Sequence, residues 1–372
     1  MGSDRSPLVR CPVGKVPSVV TVRFARHWRP EFAEVAGALR AIGGARANVV
    51  GGGRLSGPDR HQPDLLVLSD PPATTAGDAT VRIPTARLWW NDASEVNEAA
   101  GLGRIRADEL HVAFFPETAA AFRLLGHAVV EIPYAFTAPV RIVGSRRRQV
   151  TYTGEVDTSD ACFAGLPDTI VREFSAIATD LAAEVAAGDL RLTRVATTDS
   201  LQDGMAAEQR DLVLWAVRNR VRHRIVEAIV RAFPRQVYLR GTDWRHYGFE
   251  ASPTPFRRIT RRRSYRRSRS SLDLGAKSGN AVLSPRSAEI MAVGGNIVQF
   301  DSGAPIPDDL TALAGHMAAS APALVDVIGR DLDADAAAAH AARSELQAEY
   351  RTVRETTSLR LLDALLDHLA RA

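Results

Sequence analysis

The sequence predicts an α/β protein made of two doubly wound units that face each other across a cleft and end in a helical C-terminus. Three observations predict this. The chain has 372 residues, more than one hydrophobic core usually organises. Short apolar runs alternate with longer amphipathic ones, the rhythm of parallel strands joined by helices. That rhythm runs twice, and between the two runs lies TAPVRIVGSRRRQ (137–149) with its proline, glycine and three consecutive arginines. The expected division is therefore 1–140, 141–330 and a helical tail over 331–372.

In the first unit VPSVVTVRF (16–24) reads as a buried strand, and PEFAEVAGALRAIGG (30–44) as a helix with a glycine stop. Further strands are expected at ARANVVGGG (45–53), PDLLVLSD (63–70), ARLWWND (86–92), ADELHVAFF (107–115) and HAVVEIPYA (127–135), with a helix at PETAAAFRLLG before the last. The pattern restarts with the strand VTYTGEV (150–156), and helices follow over 167–188 and 211–233. QVYLRGTDW (236–244), RSSLDLG (269–275) and NIVQFDS (296–302) read as strands, with a helix over 285–295 and an almost wholly helical stretch from Pro307 onward. Open parallel sheets bind ligands beyond the carboxyl ends of their strands, where the strand order reverses. Two of them in tandem direct attention to the cleft between.

Composition narrows the chemistry. Hydrophobic residues make up 45% and charged residues 24%, so two cores are affordable in ordinary globular terms. Cys11 and Cys162 are far apart and belong to no Cys/His grouping, which argues against a disulfide framework and a structural zinc. No apolar run reaches the roughly 18 residues of a spanning helix, and the polar N-terminus lacks a secretory core. The expected location is the cytoplasm. The net charge is +4, yet FRRITRRRSYRRSRS (256–270) holds eight arginines and no acid. Such a block suits a polyanion, nucleic acid or anionic surface, or is simply a solvated helix face.

The stretch richest in chemistry is SLDLGAKSGNAVLSPRSAEIMAVGGNIVQF (271–300). A strand feeds a Gly/Ser/Asn loop and then a helix that opens on Ser284, Pro285 and Arg286, an N-cap serine with proline at the first helical position. Free amides and the positive dipole end of such a helix suit a diphosphate, and Arg286 adds a fork for phosphate oxygens. Glu289 lies one turn further on, able to accept two ribose hydroxyls. Gly294 and Gly295 end the helix. The competing structural reading makes Arg286 and Glu289 a surface salt bridge.

YRRSRSSLDLG…LSPRSAEIMAVGGNIVQF resembles the donor-binding end of GT-B glycosyltransferases, in particular the spore-maturation CgeB-like family. IPTARLWWNDAS (83–94), ADELHVAFFPETAAAFRLLG with VVEIPYAF, VTYTGEV, and RHRIVEAIVRAF…VYLRGTDW match the family's parts in the same order, over about residues 60 to 365. The resemblance implies a GT-B fold and transfer of a sugar from a nucleoside-diphosphate donor to an unidentified acceptor, with no tightly bound cofactor and no protein-bound metal. By position, Arg286 with Ser284 would face the donor phosphates, Glu289 the ribose, and Gly241 and Trp244 the base. Gly154 and Gly294 would allow close backbone approach. Ala281 stands where many retaining enzymes of this fold carry an acid, so retention or inversion stays open. The last helix, with leucines at 359, 361, 362, 365, 366 and 369, would cross back onto the first domain.

Asp92, after Trp89, Trp90 and Asn91 at a strand end, is the candidate acceptor base; a helix cap or Asx turn is the structural alternative. Two other function classes compete. One is a nucleic-acid-associated protein, including a glycosyltransferase of DNA bases, working through Arg257–Arg269. The other is a GT-B scaffold that catalyses nothing.

Overall fold

The computed structural model describes residues 20–25, 30–43, 47–53, 65–69, 84–90, 93–142, 147–202, 205–241, 244–252, 258–275 and 282–371. The first half contains β1 (Val20–Ala25), α1 (Pro30–Gly43), β2 (Ala47–Gly53), β3 (Leu65–Ser69), β4 (Thr85–Trp89), α2 (Ala93–Gly101), β5 (Leu110–Ala113), α3 (Pro116–Leu124) and β6 (Val129–Glu131). Its described strands form one parallel sheet in the order β2-β1-β3-β4-β5-β6. Strands covered on both faces can be apolar throughout, and β5 is buried at every position. The polar exceptions are paired: Arg87 on β4 holds Glu109 by two hydrogen bonds of 2.8 and 3.0 Å, both side chains almost fully enclosed.

The second half contains β7 (Arg147–Thr153), α4 (Asp168–Ala187), α5 (Asp199–Gln202), α6 (Ala207–Ala232), β8 (Val237–Arg240), β9 (Ala251–Ser252), α7 (Arg258–Arg267), β10 (Ser268–Asp273), α8 (Pro285–Ala292), β11 (Ile297–Phe300), β12 (Met317–Ala318), α9 (Ala321–Asp333) and α10 (Ala336–Arg371). The sheet is again parallel, in the order β12-β11-β10-β7-β8-β9. Read from β9, this is the dinucleotide-fold order, with its reversal between β7 and β10. Two facing Rossmann-type sheets with a helical C-terminus make the GT-B-like α/β class.

One core packs α4, α6 and α9 on the second sheet. A second is continuous from the first sheet through α8 to α10. Leu361, Leu362 and Leu365 of α10 are fully buried there together with Val35 and Leu39 of α1. Tyr350 Oη donates to Thr137 O at 3.0 Å and Arg354 Nε to Phe136 O at 3.2 Å, so the long helix runs back along the connection between the sheets.

Several elements differ from the sequence reading or add to it, among them the short α5 and β9. The tail from Pro307 is not almost wholly helical: Met317–Ala318 joins the sheet edge beside β11, a pairing too short to leave an alternation in the sequence. Helix α2 has little apolar content, and Val96 and Ala99 anchor it in a small cluster with Trp89 and Phe122. The arginine block is largely helical as α7, one of its readings, but Ser264 and Tyr265 give it a buried face in place of full solvation.

Candidate functional site

At the reversal between β7 and β10 the chain leaves its strands through Thr153-Gly154, Gly241 and Asp273–Gly275. Gly154 and Gly241 meet there. Gly154 N donates to Arg240 O at 2.9 Å. Gly241 has φ 139°, and a Cβ on it would sit 2.1 Å from Gly154 O, so only glycine allows this approach. Trp244 Nε1 donates to Gly154 O at 2.7 Å from a fully buried position edge-on to Tyr152. Trp244, which the sequence reading set beside a base, braces the turn from within the core.

Helix α8 opens as the sequence predicts, on Ser284 and Pro285. Ser284 Oγ accepts from the amides of Arg286 and Ser287 at 3.2 and 3.1 Å, and the Ala288 amide bonds Ser284 O at 3.0 Å. The amides expected to be free for a diphosphate are thus taken by the cap. What remains is the guanidinium.

Arg286 lies 5.5 Å from the Tyr152 ring centroid and 3.7 Å from Asp273 Oδ1. Its Nη1 is buried and has no hydrogen-bond partner among the described residues. Burial works against its charge, but Tyr152 and Asp273 outweigh that and raise its pKa. Asp273 is itself fully buried and accepts from Ser284 Oγ at 3.2 Å and Gly275 N at 3.1 Å. A second enclosed arginine, Arg222 from α6, donates Nη2 to Gly275 O at 2.9 Å, and its Nε lacks a partner among the described residues. Burial lowers its pKa to about 10, with Arg286 adding repulsion. A small cavity of about 180 Å³ is lined by Glu31, Thr153, Arg261, Gly275, Ser284 and Arg286 among others.

Glu289 is almost completely buried and is held by α7. Arg262 Nε donates to it at 2.9 Å, Arg261 Nε donates to its other oxygen, and Arg258 Nε lies 3.8 Å away. Arg258 and Arg262 also pair with Glu34 on α1, the latter at 2.8 Å. Tyr134 Oη and Thr137 Oγ1 donate to Glu34 at 2.6 and 2.8 Å. This cluster joins the two sheets. Burial opposes the charge of Arg261, and Glu289 overcomes it and raises its pKa. Arg286 and Glu289 therefore have different partners, and the surface salt bridge between them is not what forms. The basic block is likewise divided: Arg258, Arg261 and Arg262 face the cluster, while Arg263 and Arg267 are exposed.

Gly294 follows α8 with φ 66°, and a Cβ there would lie 2.6 Å from Ile142 Cγ1. This lets residues 140–142 pass close, with Val140 N bonded to Ala292 O at 2.8 Å. Asp92 and Arg257 lie outside the described residues. Trp89 and Trp90 are core side chains: Trp89 Nε1 donates to His111 Nδ1 at 3.3 Å, and Trp90 packs on Phe114 with centroids 4.4 Å apart. No group of three or more His, Cys, Asp or Glu among the described residues is arranged to hold a metal ion, and no described helix is long and apolar enough to cross a membrane.

Asp273 and Arg222 were not singled out by sequence. An acid at the end of a strand that runs into a glycine was the available signal for Asp273. Arg222 is one arginine of several in RNRVRHR, and nothing local separates it.

These features define an α/β protein of GT-B-like architecture whose second sheet carries buried cations at its switch point. Known proteins resemble it in outline. The structure of T4 phage BGT in complex with its UDP-glucose substrate aligns with a TM-score of 0.45 and 7% identity, over 93% of this chain and 97% of that one. An α,α-trehalose-phosphate synthase (UDP-forming) from Burkholderia vietnamiensis aligns with a TM-score of 0.41 and 11% identity, over 91% and 77% of the two chains. The N-terminal domain of Candida albicans trehalose-6-phosphate phosphatase aligns with a TM-score of 0.41 and 9% identity, over 99% of each. No family model and no curated protein matches the sequence. None of these comparisons bears on the CgeB-like resemblance.

Proposed function

We propose that the protein is a glycosyltransferase that binds a nucleoside-diphosphate sugar at the carboxyl edge of its second sheet, in the manner its CgeB-like sequence resemblance implies. The chain divides on this reading into an acceptor domain (1–140), a donor domain (141–330) and the returning helical tail (331–372). The observation that carries it is Arg286: a buried guanidinium at the switch point with an unsatisfied Nη1, next to a second enclosed arginine. An uncompensated buried donor is costly. A diphosphate arriving from the cavity side supplies the missing acceptors.

The proposed roles rest on the sequence resemblance, and for the described residues also on their neighbours. Arg286 and Arg261 take the phosphates. Ser284 fixes the start of α8, and Asp273 holds Arg286 in place. Gly154 and Gly241 keep the approach free of side chains, and Trp244 stiffens it. Glu289 accepts the ribose hydroxyls once Arg261 and Arg262 turn toward phosphate, and Gly294 keeps α8 seated. In the reaction an acceptor hydroxyl oxygen bonds to the anomeric carbon. The bond from that carbon to the diphosphate breaks with its electron pair going to the phosphate, and the hydroxyl proton passes to a base, for which Asp92 is the candidate.

Calorimetric titration with UDP, GDP, CDP, ADP and dTDP tests the reading. One nucleotide binds to the native chain and binds far more weakly to Arg286→Ala. Silence across all five removes the proposal.

A further inference from the structure

A groove of about 830 Å³ lies between the two halves, apart from the cationic site. On one side it is walled by Pro116 and Ala120 of α3, which follow the carboxyl end of β5. On the other stand Leu212 and Trp215 of α6, and Gly303–Pro305 beyond the carboxyl end of β11 close it. It thus opens on the ligand-binding edges of both sheets. Helix α6 carries more apolar surface than its core requires. Val213, Ala216 and Val217 are buried, while Leu212 and Trp215 are half-buried and line the groove. The loop beside them is fixed, since Thr193 N bonds Ser302 O at 3.0 Å and Arg191 pairs with Asp301 at 2.6 Å. The charge around the groove is unlike that of the cationic site: Glu117, Glu208 and Asp211 stand against the single guanidinium of Arg218.

We infer that this groove receives the acceptor, and that the acceptor is a small molecule with a planar apolar body and no negative charge. The inference rests on the glycosyl-transfer reading and gives its acceptor a chemical class. The volume is that of pockets for ligands of drug size. Half-buried Trp215 gives an aromatic ring a surface to stack on. The surplus of carboxylates repels anions and tolerates an amine. A nucleic acid strand does not fit such a lining.

The test is titration calorimetry with three naphthols of similar size, one neutral, one bearing an aminomethyl group and one bearing a carboxylate, run beside the nucleotide series. The neutral and amino compounds bind, and the carboxylate binds at least about tenfold more weakly. Ala120→Phe, at an exposed position of α3, fills the groove and weakens naphthol binding by about tenfold or more while nucleotide binding is unchanged. Glu208→Lys, also at an exposed position, shifts the preference toward the carboxylate. If nucleotide binds and no naphthol does, or if the carboxylate binds as well as the neutral compound, the acceptor assignment is overturned. Binding unaltered by Ala120→Phe overturns it too. If the naphthols bind in the groove and every nucleotide is silent, the groove keeps its ligand class and the transfer reading fails instead.

Discussion

Arg286 and Glu289 sit three residues apart on one short helix, yet they meet different demands. Arg286 is enclosed with one donor unsatisfied, and Glu289 is enclosed with both oxygens occupied. A charged hydrogen bond contributes about 1.5–3 kcal/mol, so Arg286→Ala weakens nucleoside-diphosphate binding by roughly 10- to 100-fold. Glu289→Ala behaves differently. It leaves Arg261 without its carboxylate and takes from Arg262 one of its two, and losing one partner of such a cluster costs about 3–5 kcal/mol. Urea unfolding of Glu289→Ala therefore shows a large loss of stability, and a stability equal to the native protein's would refute the role given to Glu289. His111 supplies a pH test. Burial lowers its pKa to about 4, outweighing the Arg106 carbonyl, which bonds Nε2 at 3.1 Å and favours the charged form. The unfolded chain takes up its proton near 6.5, so this contribution is complete above that pH and is lost as the pH falls from 6.5 toward 4. Melting temperatures across that window decline, and His111→Gln flattens the slope.

At the scale of elements, the turns at the end of β7 and β8 depend on the absence of side chains. Gly241→Ala forces its Cβ onto the Gly154 carbonyl 2.1 Å away, and both backbones are tied into the sheet. Backbone strain of this kind costs about 1–3 kcal/mol, and displacement of the turn weakens nucleotide binding as well; calorimetry and melting report the two effects separately. Helix α7 is shared between two duties along its length. Its first turns hold Glu289 and Glu34, and its exposed stripe of Ile259, Arg263 and Arg267 faces solvent. Arg263 and Arg267 can therefore be replaced by glutamine with little change in stability, whereas Arg262 cannot.

Over the whole molecule, α10 and the Glu34–arginine–Glu289 cluster join the halves. The helix does so by apolar burial: Leu361 lies in a core shared with α1, and Leu361→Ala costs about 2–5 kcal/mol in urea unfolding. The cluster does so by charge, with a carboxylate from each half competing for the same guanidinia.

Much of this was legible in the chain. The alternation of apolar and amphipathic runs specified most strands and helices of both sheets, because most strands buried on both faces are rich in apolar residues and a covering helix shows one apolar stripe; the buried strand SRSSLD of β10 is the exception. The sequence also marked the opening of α8, since Ser284-Pro285 is a local capping signal that needs no distant partner. The tertiary structure alone decided who pairs with whom. Glu34 and Arg262 are 228 residues apart, and Asp273, Arg222 and Arg286 arrive from three separate elements. Side-chain periodicity is a property of neighbours along the chain. Charge compensation and enclosure are properties of neighbours in space, and these only the packing of one half against the other creates.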